Sequence, residues 1–198
     1  YAVPKNYSHK FQPFTGEVNH LQFDEDFDNT LLFNRYKTSL HFADSLVGEV
    51  INEIKIKGNL DNTIIIITSD HGEELNDNND NYWGHNSNFT DIQIKVPFIF
   101  ISPYNSMIDD KWILDNPLTT HEDITPTLLK NFLGAENDVI DFSTGKNLFD
   151  PVSYRDWLIV NSYHTYAIVY DEMIIEFYPS GVFEIFDKKN RKIDEEIE

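Results

Sequence analysis

Cysteine is absent from the 198 residues. Without thiols, the chain can form no disulfide, no thiolate zinc site and no cysteine nucleophile. Long apolar runs are also missing, since none approaches the roughly 20 residues that a membrane-spanning helix needs. Candidate chemistry must therefore come from carboxylates, imidazoles, hydroxyls and amides.

Positive charge is scarce. The chain has 15 Lys and Arg against 34 Asp and Glu, and its formal net charge is −19. The basic residues are scattered, and such a surface repels nucleic acid and anionic lipid headgroups. We therefore expect no nucleic-acid partner. The sequence opens on Tyr1 rather than Met, so we expect it to be a fragment of a longer chain.

Hydrophobic residues make up 40% of the chain and aromatic residues 14%. That composition excludes a disordered chain and supports a real hydrophobic core. The length suits one sizeable domain or a large part of one.

The first three quarters of the sequence predict an α/β fold. Residues 31–57 carry one apolar stripe at three- and four-residue steps, as in an amphipathic helix. The continuous β-branched run at 63–68 is typical of a strand buried on both faces of a parallel sheet. A second strand is expected at 96–101 and a second helix at 123–133. We therefore predict part of a mainly parallel sheet flanked by helices.

From Trp157 onward, the pattern changes to four short alternating runs separated by turn residues. These runs predict an antiparallel meander. We expect residues 1–150 to be the C-terminal portion of the α/β domain. Residues 151–198 should form an antiparallel extension packed on that same domain.

The strongest chemical signal lies directly after the 63–68 strand, where Asp70 and His71 stand side by side. In open α/β sheets, ligands bind beyond the carboxyl ends of strands. A carboxylate and an imidazole at that position suit Zn²⁺, Mn²⁺ or Mg²⁺. Gly72 is expected to let the backbone turn tightly, so that both side chains face one point. A loop hydrogen bond between the two side chains is the alternative.

The same polar loop carries His85, which could be a further metal ligand or could donate to a substrate oxyanion. The alternative is a surface histidine stacked on Trp83. We assign Glu73, Trp83 and Asn86 to supporting the metal ligands or contacting substrate. For Glu73, a solvated loop charge is equally compatible with the sequence. His121 and Asp123 are better explained by helix capping than by chemistry.

Four ordered motifs resemble the C-terminal part of a sulfatase-like domain of the alkaline phosphatase superfamily. They lie at residues 34–44, 68–73, 84–97 and 121–129. A further set of segments is similar to the YejM/PbgA type: residues 83–89, 145–150, 155–157, 162–163, 166–167 and 178–181. That type comprises Gram-negative inner-membrane proteins with a periplasmic sulfatase-like domain. The resemblance implies membrane contact only through an N-terminal segment outside this sequence.

The resemblance implies a role for each site residue. Asp70 and His71 would bind one catalytic divalent metal (Mn²⁺, Zn²⁺ or Mg²⁺, with Ca²⁺ a poorer fit). His85 would contact the phosphate or sulfate beside that metal. The nucleophile and the remaining acidic ligand would precede residue 1, in the N-terminal half of the domain.

The implied function is a metal-dependent hydrolase or transferase acting on sulfate or phosphate esters, lipid-linked ones included. The fragment alone would hold half the active site and be inactive. The resemblance leaves a second class open, a non-catalytic periplasmic domain that senses lipids or binds partners in lipopolysaccharide homeostasis. Lys5 stands where relatives carry a histidine that would contact the phosphate, which argues against turnover, whereas the intact Asp70-His71-Gly72 motif favours retained metal binding.

Overall fold

The computed structural model describes residues 3–7, 10–13, 19, 23, 27–86, 88–103, 118–150 and 155–193. The chain divides into two compact units, Tyr1–Pro103 and Tyr104–Glu198. The predicted division between residues 150 and 151 stays a prediction. None of the described helices is long and apolar enough to cross a membrane.

The first unit begins with helix α1, Asn29–Ile56. The Asp28 side chain caps the helix N-terminus by accepting a hydrogen bond from Thr30 N at 2.9 Å. The helix ends before Gly58, whose φ of +70° is the left-handed conformation that favours glycine. The helix predicted at residues 31–57 is confirmed, with both ends within two residues.

Strands β1, Ile65–Thr68, and β4, Phe98–Ile101, form a two-stranded sheet. They pair antiparallel, with Ile65 opposite Ile101 and Thr68 opposite Phe98. Both strands were predicted, but the pairing differs from the parallel sheet that we expected. The isoleucines of β1 are half-buried rather than enclosed, so a run without polar alternation does not by itself specify parallel pairing. Within the described residues, every strand pairing is antiparallel.

Three short elements lie between β1 and β4, in a stretch that was predicted to be loop. Strands β2, Glu74–Leu75, and β3, Trp83–Gly84, form a small antiparallel hairpin. Helix α2, Asp91–Ile94, follows. These elements carry or support the residues of the candidate site.

The second unit contains helix α3, Ile124–Asn131, entered through a single 3₁₀ turn at His121–Asp123. A four-stranded antiparallel meander follows in the order β5-β6-β7-β8. Its strands are Leu158–Asn161, Tyr166–Val169, Met173–Phe177 and Phe183–Asp187. Ala167, Val169 and Ile174 are almost fully buried and form its core. The predicted meander is confirmed, and its packing on the α/β domain stays a prediction.

Asp123 is a structural residue of the second unit. Its buried carboxylate accepts a hydrogen bond from Thr120 N at 2.8 Å, as a cap does. It also accepts two hydrogen bonds of 2.8 Å from the Arg155 guanidinium and one of 2.7 Å from Lys146 N. This confirms the helix-cap interpretation of Asp123.

Candidate metal centre

Asp70 and His71 directly follow the carboxyl end of β1, as the sequence predicted. The His71 N–H donates to Asp70 Oδ1 at 3.1 Å, and Ser69 Oγ donates to His71 O at 2.9 Å. The pKa of Asp70 is lowered, first by a hydrogen bond from its own backbone and then by the nearby His71. The Asp70 side chain is exposed to solvent, and its lowered pKa favours the charged carboxylate.

Gly72 brings this turn against helix α2. Its N–H donates to Gln93 O at 2.8 Å. A Cβ at this position would lie 2.9 Å from the Ile92 carbonyl carbon and closer still to its oxygen. The φ of Gly72 is not in the left-handed region. Glycine is required here because a side chain would have no space beside the Ile92 backbone, and the expected tight turn stays a prediction.

The β2–β3 hairpin brings Glu73 and His85 together. Glu74 pairs with Gly84 in the hairpin, so the residues one step further out also face each other. His85 Nδ1 lies 3.2 Å from Glu73 Oε2. The contact joins residues 12 positions apart. It follows from the pairing of the two strands and could not be inferred from the sequence spacing.

The two imidazole rings stack, with 3.9 Å between their centroids and 29° between their planes. His71 Nδ1 lies 2.7 Å from Gly72 O, and His85 Nδ1 faces the Glu73 carboxylate. Both partners are acceptors, so a hydrogen bond at either contact needs the proton on Nδ1, and the tautomer with that proton offers the Nε2 lone pair to a metal. Metal-binding histidines are commonly oriented in this way, with one ring nitrogen held by a carbonyl or carboxylate.

His71, Glu73 and His85 offer ligand atoms that all lie within 4.8 Å of one another. Asp70 lies outside this cluster, although its Oδ2 is 3.8 Å from His71 Nε2. Two imidazoles and a carboxylate match the ligands that Zn²⁺ takes in catalytic sites. The residues present therefore fit a divalent metal. Glu73 belongs to the cluster of possible ligands itself, whereas it was predicted only to support the metal ligands or to contact substrate.

Trp83 and Asn86 lie on either side of His85. Trp83 Nε1 donates to Asn81 Oδ1 at 2.7 Å, and its ring packs on Phe23 and Phe27 at 4.9 and 5.4 Å between centroids. Trp83 thus helps to hold the hairpin, while His85 stacks on His71 instead of on Trp83. Asn86 is exposed and adopts a left-handed φ of +69°. Their predicted roles at the site stay predictions.

Tyr36 of α1 is a neighbour that the sequence analysis did not assign to the site. Its pKa is raised, first by burial and then by the negative charges of Glu73 and Asp77. The phenol therefore lies close enough to the Glu73 carboxylate to sense its charge. Its place on the apolar stripe of α1 indicated only a core residue.

Comparison with known proteins identifies the class. Residues 1–135 match the family model described as Sulfatase. The matched segment contains the strand end that carries Asp70 and His71 and the hairpin that carries His85. The chain belongs to the sulfatase family.

Three known proteins illustrate the likeness. The chain is 22% identical over 172 residues to the inner membrane protein YejM of Salmonella typhimurium, covering 87% of this chain and 28% of YejM. It is 31% identical over 134 residues to the phosphatidylethanolamine transferase Mcr-1 of Escherichia coli, covering 66% of this chain and 24% of that protein. A structure solved with its substrate D-glucosamine-2-N,6-O-disulfate aligns with a TM-score of 0.62 at 20% identity, covering 85% of this chain and 37% of that one.

The structural likeness supports the sulfatase-like α/β fold. The chain spans 21% to 28% of the length of the relatives that it matches in sequence. Activity, substrate and partners of the whole protein are therefore matters for proposal.

Proposed function

We propose that the chain carries part of the active site of a metal-dependent hydrolase or transferase acting on sulfate or phosphate esters. The observation that carries the proposal is the pair of stacked imidazoles, both held through Nδ1, beside Glu73 and Asp70. Family membership and a transferase among the relatives support it.

Asp70 and His71 would hold the metal through a carboxylate oxygen and Nε2. A divalent metal bound there supplies Lewis acidity toward an ester oxygen. Imidazole ligands suit Zn²⁺, carboxylates suit Mn²⁺ and Mg²⁺, and Ca²⁺, which takes six to eight oxygens, fits least well.

His85 would bind the non-bridging oxygens of the sulfate or phosphate group. Glu73 holds its ring from the other nitrogen, so the imidazole is oriented before the substrate arrives. A group fixed in this way stabilises charge that develops during transfer without further reorganisation. The role of Glu73 is thus to aim His85, with direct metal contact as the alternative that the 4.8 Å cluster allows.

We propose that the nucleophile and a further acidic ligand come from a segment outside residues 1–198, and that this fragment alone does not turn over substrate. By resemblance, the complete protein would be anchored in a Gram-negative inner membrane with this domain in the periplasm. An inner membrane protein among the relatives supports the anchoring.

The first experiment measures metal content. Protein purified with the complete sulfatase domain should carry one Zn²⁺, Mn²⁺ or Mg²⁺ by elemental analysis. Asp70→Ala with His71→Ala should lose it. The matched control is His164→Ala with Asp171→Ala, which removes the same residue types from exposed turns of the second unit. Equal metal content in the wild type and in the Asp70/His71 double variant would refute the proposal.

The second experiment separates catalysis from sensing. The same protein is assayed on an aryl sulfate and an aryl phosphate, with and without added metal. Turnover that disappears on chelation supports the enzyme. Bound metal without turnover supports the second class, a non-catalytic domain that senses lipids or binds partners.

A further inference from the structure

Glu74 is the most enclosed carboxylate of the described first unit, with 1% of the residue exposed. It lies on β2 directly after Glu73, yet its side chain points away from the metal centre into the interior. Glutamate is almost never fully buried without partners, because desolvation of the charge must be offset by hydrogen bonds or ion pairs. The buried Glu74 carboxylate therefore requires hydrogen-bond donors around it.

Three side-chain amides surround this carboxylate. Asn78 Nδ2 donates to Oε1 at 3.0 Å, while Asn88 Nδ2 and Gln93 Nε2 donate to Oε2 at 2.9 and 2.7 Å. Asn88 and Gln93 are themselves buried. We call these four residues the Glu74 network. Its members come from β2, the hairpin turn, the segment after β3 and helix α2.

The Glu74 network reaches each segment that carries a candidate ligand. Glu73 precedes Glu74 in the chain, and His85 lies three residues before Asn88. The backbone carbonyl of Gln93 also accepts a hydrogen bond from the N–H of Gly72, the residue that follows His71. Asn88 Oδ1 accepts Thr90 N at 3.0 Å, which fixes the entry into α2. One carboxylate thus connects the three segments around the centre.

We propose that Glu74 is a positioning residue, whose carboxylate holds His71 and the Glu73–His85 pair in register for metal binding. The inference rests on the proposed function but is separable from it, because its first readout is the stacking of the two imidazoles and not metal binding. A carboxylate is required because it accepts at both oxygens. A glutamine would accept at one oxygen only and would turn its own NH₂ toward a donor.

The test compares Glu74→Gln with Glu49→Gln, which removes the same charge from an exposed position of α1. The first readout needs no metal. Proton NMR of the protein with the complete sulfatase domain should show the His71 and His85 ring signals shifted by their mutual stacking, assigned with single His→Asn variants. Glu74→Gln should move those signals toward unstacked positions, and Glu49→Gln should leave them in place.

The second readout is Zn²⁺ affinity, measured by competition with a chromophoric chelator. Loss of a group that orients metal ligands lowers affinity about 10- to 100-fold. We expect a loss in that range for Glu74→Gln and a smaller one for Asn78→Ala, which deletes only the donor to Oε1. Combining Glu74→Gln with Gln93→Glu exchanges acceptor and donor across one contact and should recover part of the affinity.

The outcomes distinguish this inference from the metal proposal. If the wild-type protein with the complete sulfatase domain binds no Zn²⁺ while Glu74→Gln still disrupts the stack, the metal assignment fails and the positioning role stands. Unchanged His71 and His85 signals in Glu74→Gln would overturn the positioning role, whatever the affinity. Should Glu74→Gln fail to fold by circular dichroism, Asn78→Ala decides: displaced signals support the role, and unchanged signals overturn it.

Discussion

Replacement of Gly72 by alanine tests the closest approach of two backbones near the centre. The new methyl would overlap the carbonyl of Ile92. Overpacking of this kind costs about 1–3 kcal/mol, and weakening of the Gly72 N to Gln93 O hydrogen bond adds about 0.5–1.5 kcal/mol. The lower entropy of an unfolded chain with alanine offsets about 0.4–1 kcal/mol. We expect a net destabilisation of about 0.5–4 kcal/mol.

The assay is urea denaturation followed by circular dichroism, paired with Zn²⁺ titration. Gly48→Ala is the matched control, because Gly48 lies within α1 and its added Cβ would meet nothing within 4 Å. That change should stabilise the helix by about 0.5–1 kcal/mol. Because Gly72 separates His71 from Glu73, its replacement should also weaken Zn²⁺ binding. Stability of Gly72→Ala within about 0.5 kcal/mol of wild type, with unchanged Zn²⁺ affinity, would refute the reasoning.

Three further predictions concern the second unit. Arg155→Met leaves the Asp123 carboxylate buried without its cation and should cost about 3–5 kcal/mol in urea denaturation; a loss below about 1 kcal/mol would contradict the role of the pair. Gly145→Ala should destabilise by about 1–3 kcal/mol in the same assay, because its Cβ would overlap the Glu122 carbonyl, and an unchanged midpoint would contradict that contact. The pKa of Tyr178 is raised by burial, then by Glu176 and by the hydrogen bond to Glu184. The neutral phenol is therefore favoured in the folded state, and its stabilisation, complete below the ordinary pKa of about 10, should disappear as pH rises above that value. Urea midpoints measured from about pH 8 to about pH 11 should fall less for Tyr178→Phe than for wild type, and parallel curves would contradict the assignment.

The elements that sequence predicts well are those whose signals are local. Helix α1 and the four strands of the meander were found within two residues at each end, because periodicity and turn residues are encoded in adjacent positions. Strand pairing depends on partners distant in the chain, and the isoleucines of β1 carry no information about direction. The antiparallel pairing of β1 with β4 therefore could not be predicted from the sequence, although both strands could.

The candidate site divides in the same way. The position of Asp70 and His71 at a strand end followed from the β-branched run at residues 63–68 that precedes them. The approach of Glu73 to His85 did not, because it depends on the register of a hairpin with only two residues in each strand. Asn76, Asn79 and Asn81 all adopt positive φ in its turn. Asparagine tolerates that conformation, so the asparagine-rich stretch between Leu75 and Trp83 was the available signal.

The hairpin register also determines where this segment can change in length during evolution. Between Asn79 and Tyr82, beyond the Asn78 that donates to Glu74, the chain turns at the surface, and added residues would lengthen a loop without moving either strand. One residue gained between His71 and Glu74, or between Gly84 and Asn88, would rotate a ligand to the opposite face of the ribbon. Homologues that retain the centre should therefore vary in length at the asparagine-rich turn and keep constant spacing on both sides of it.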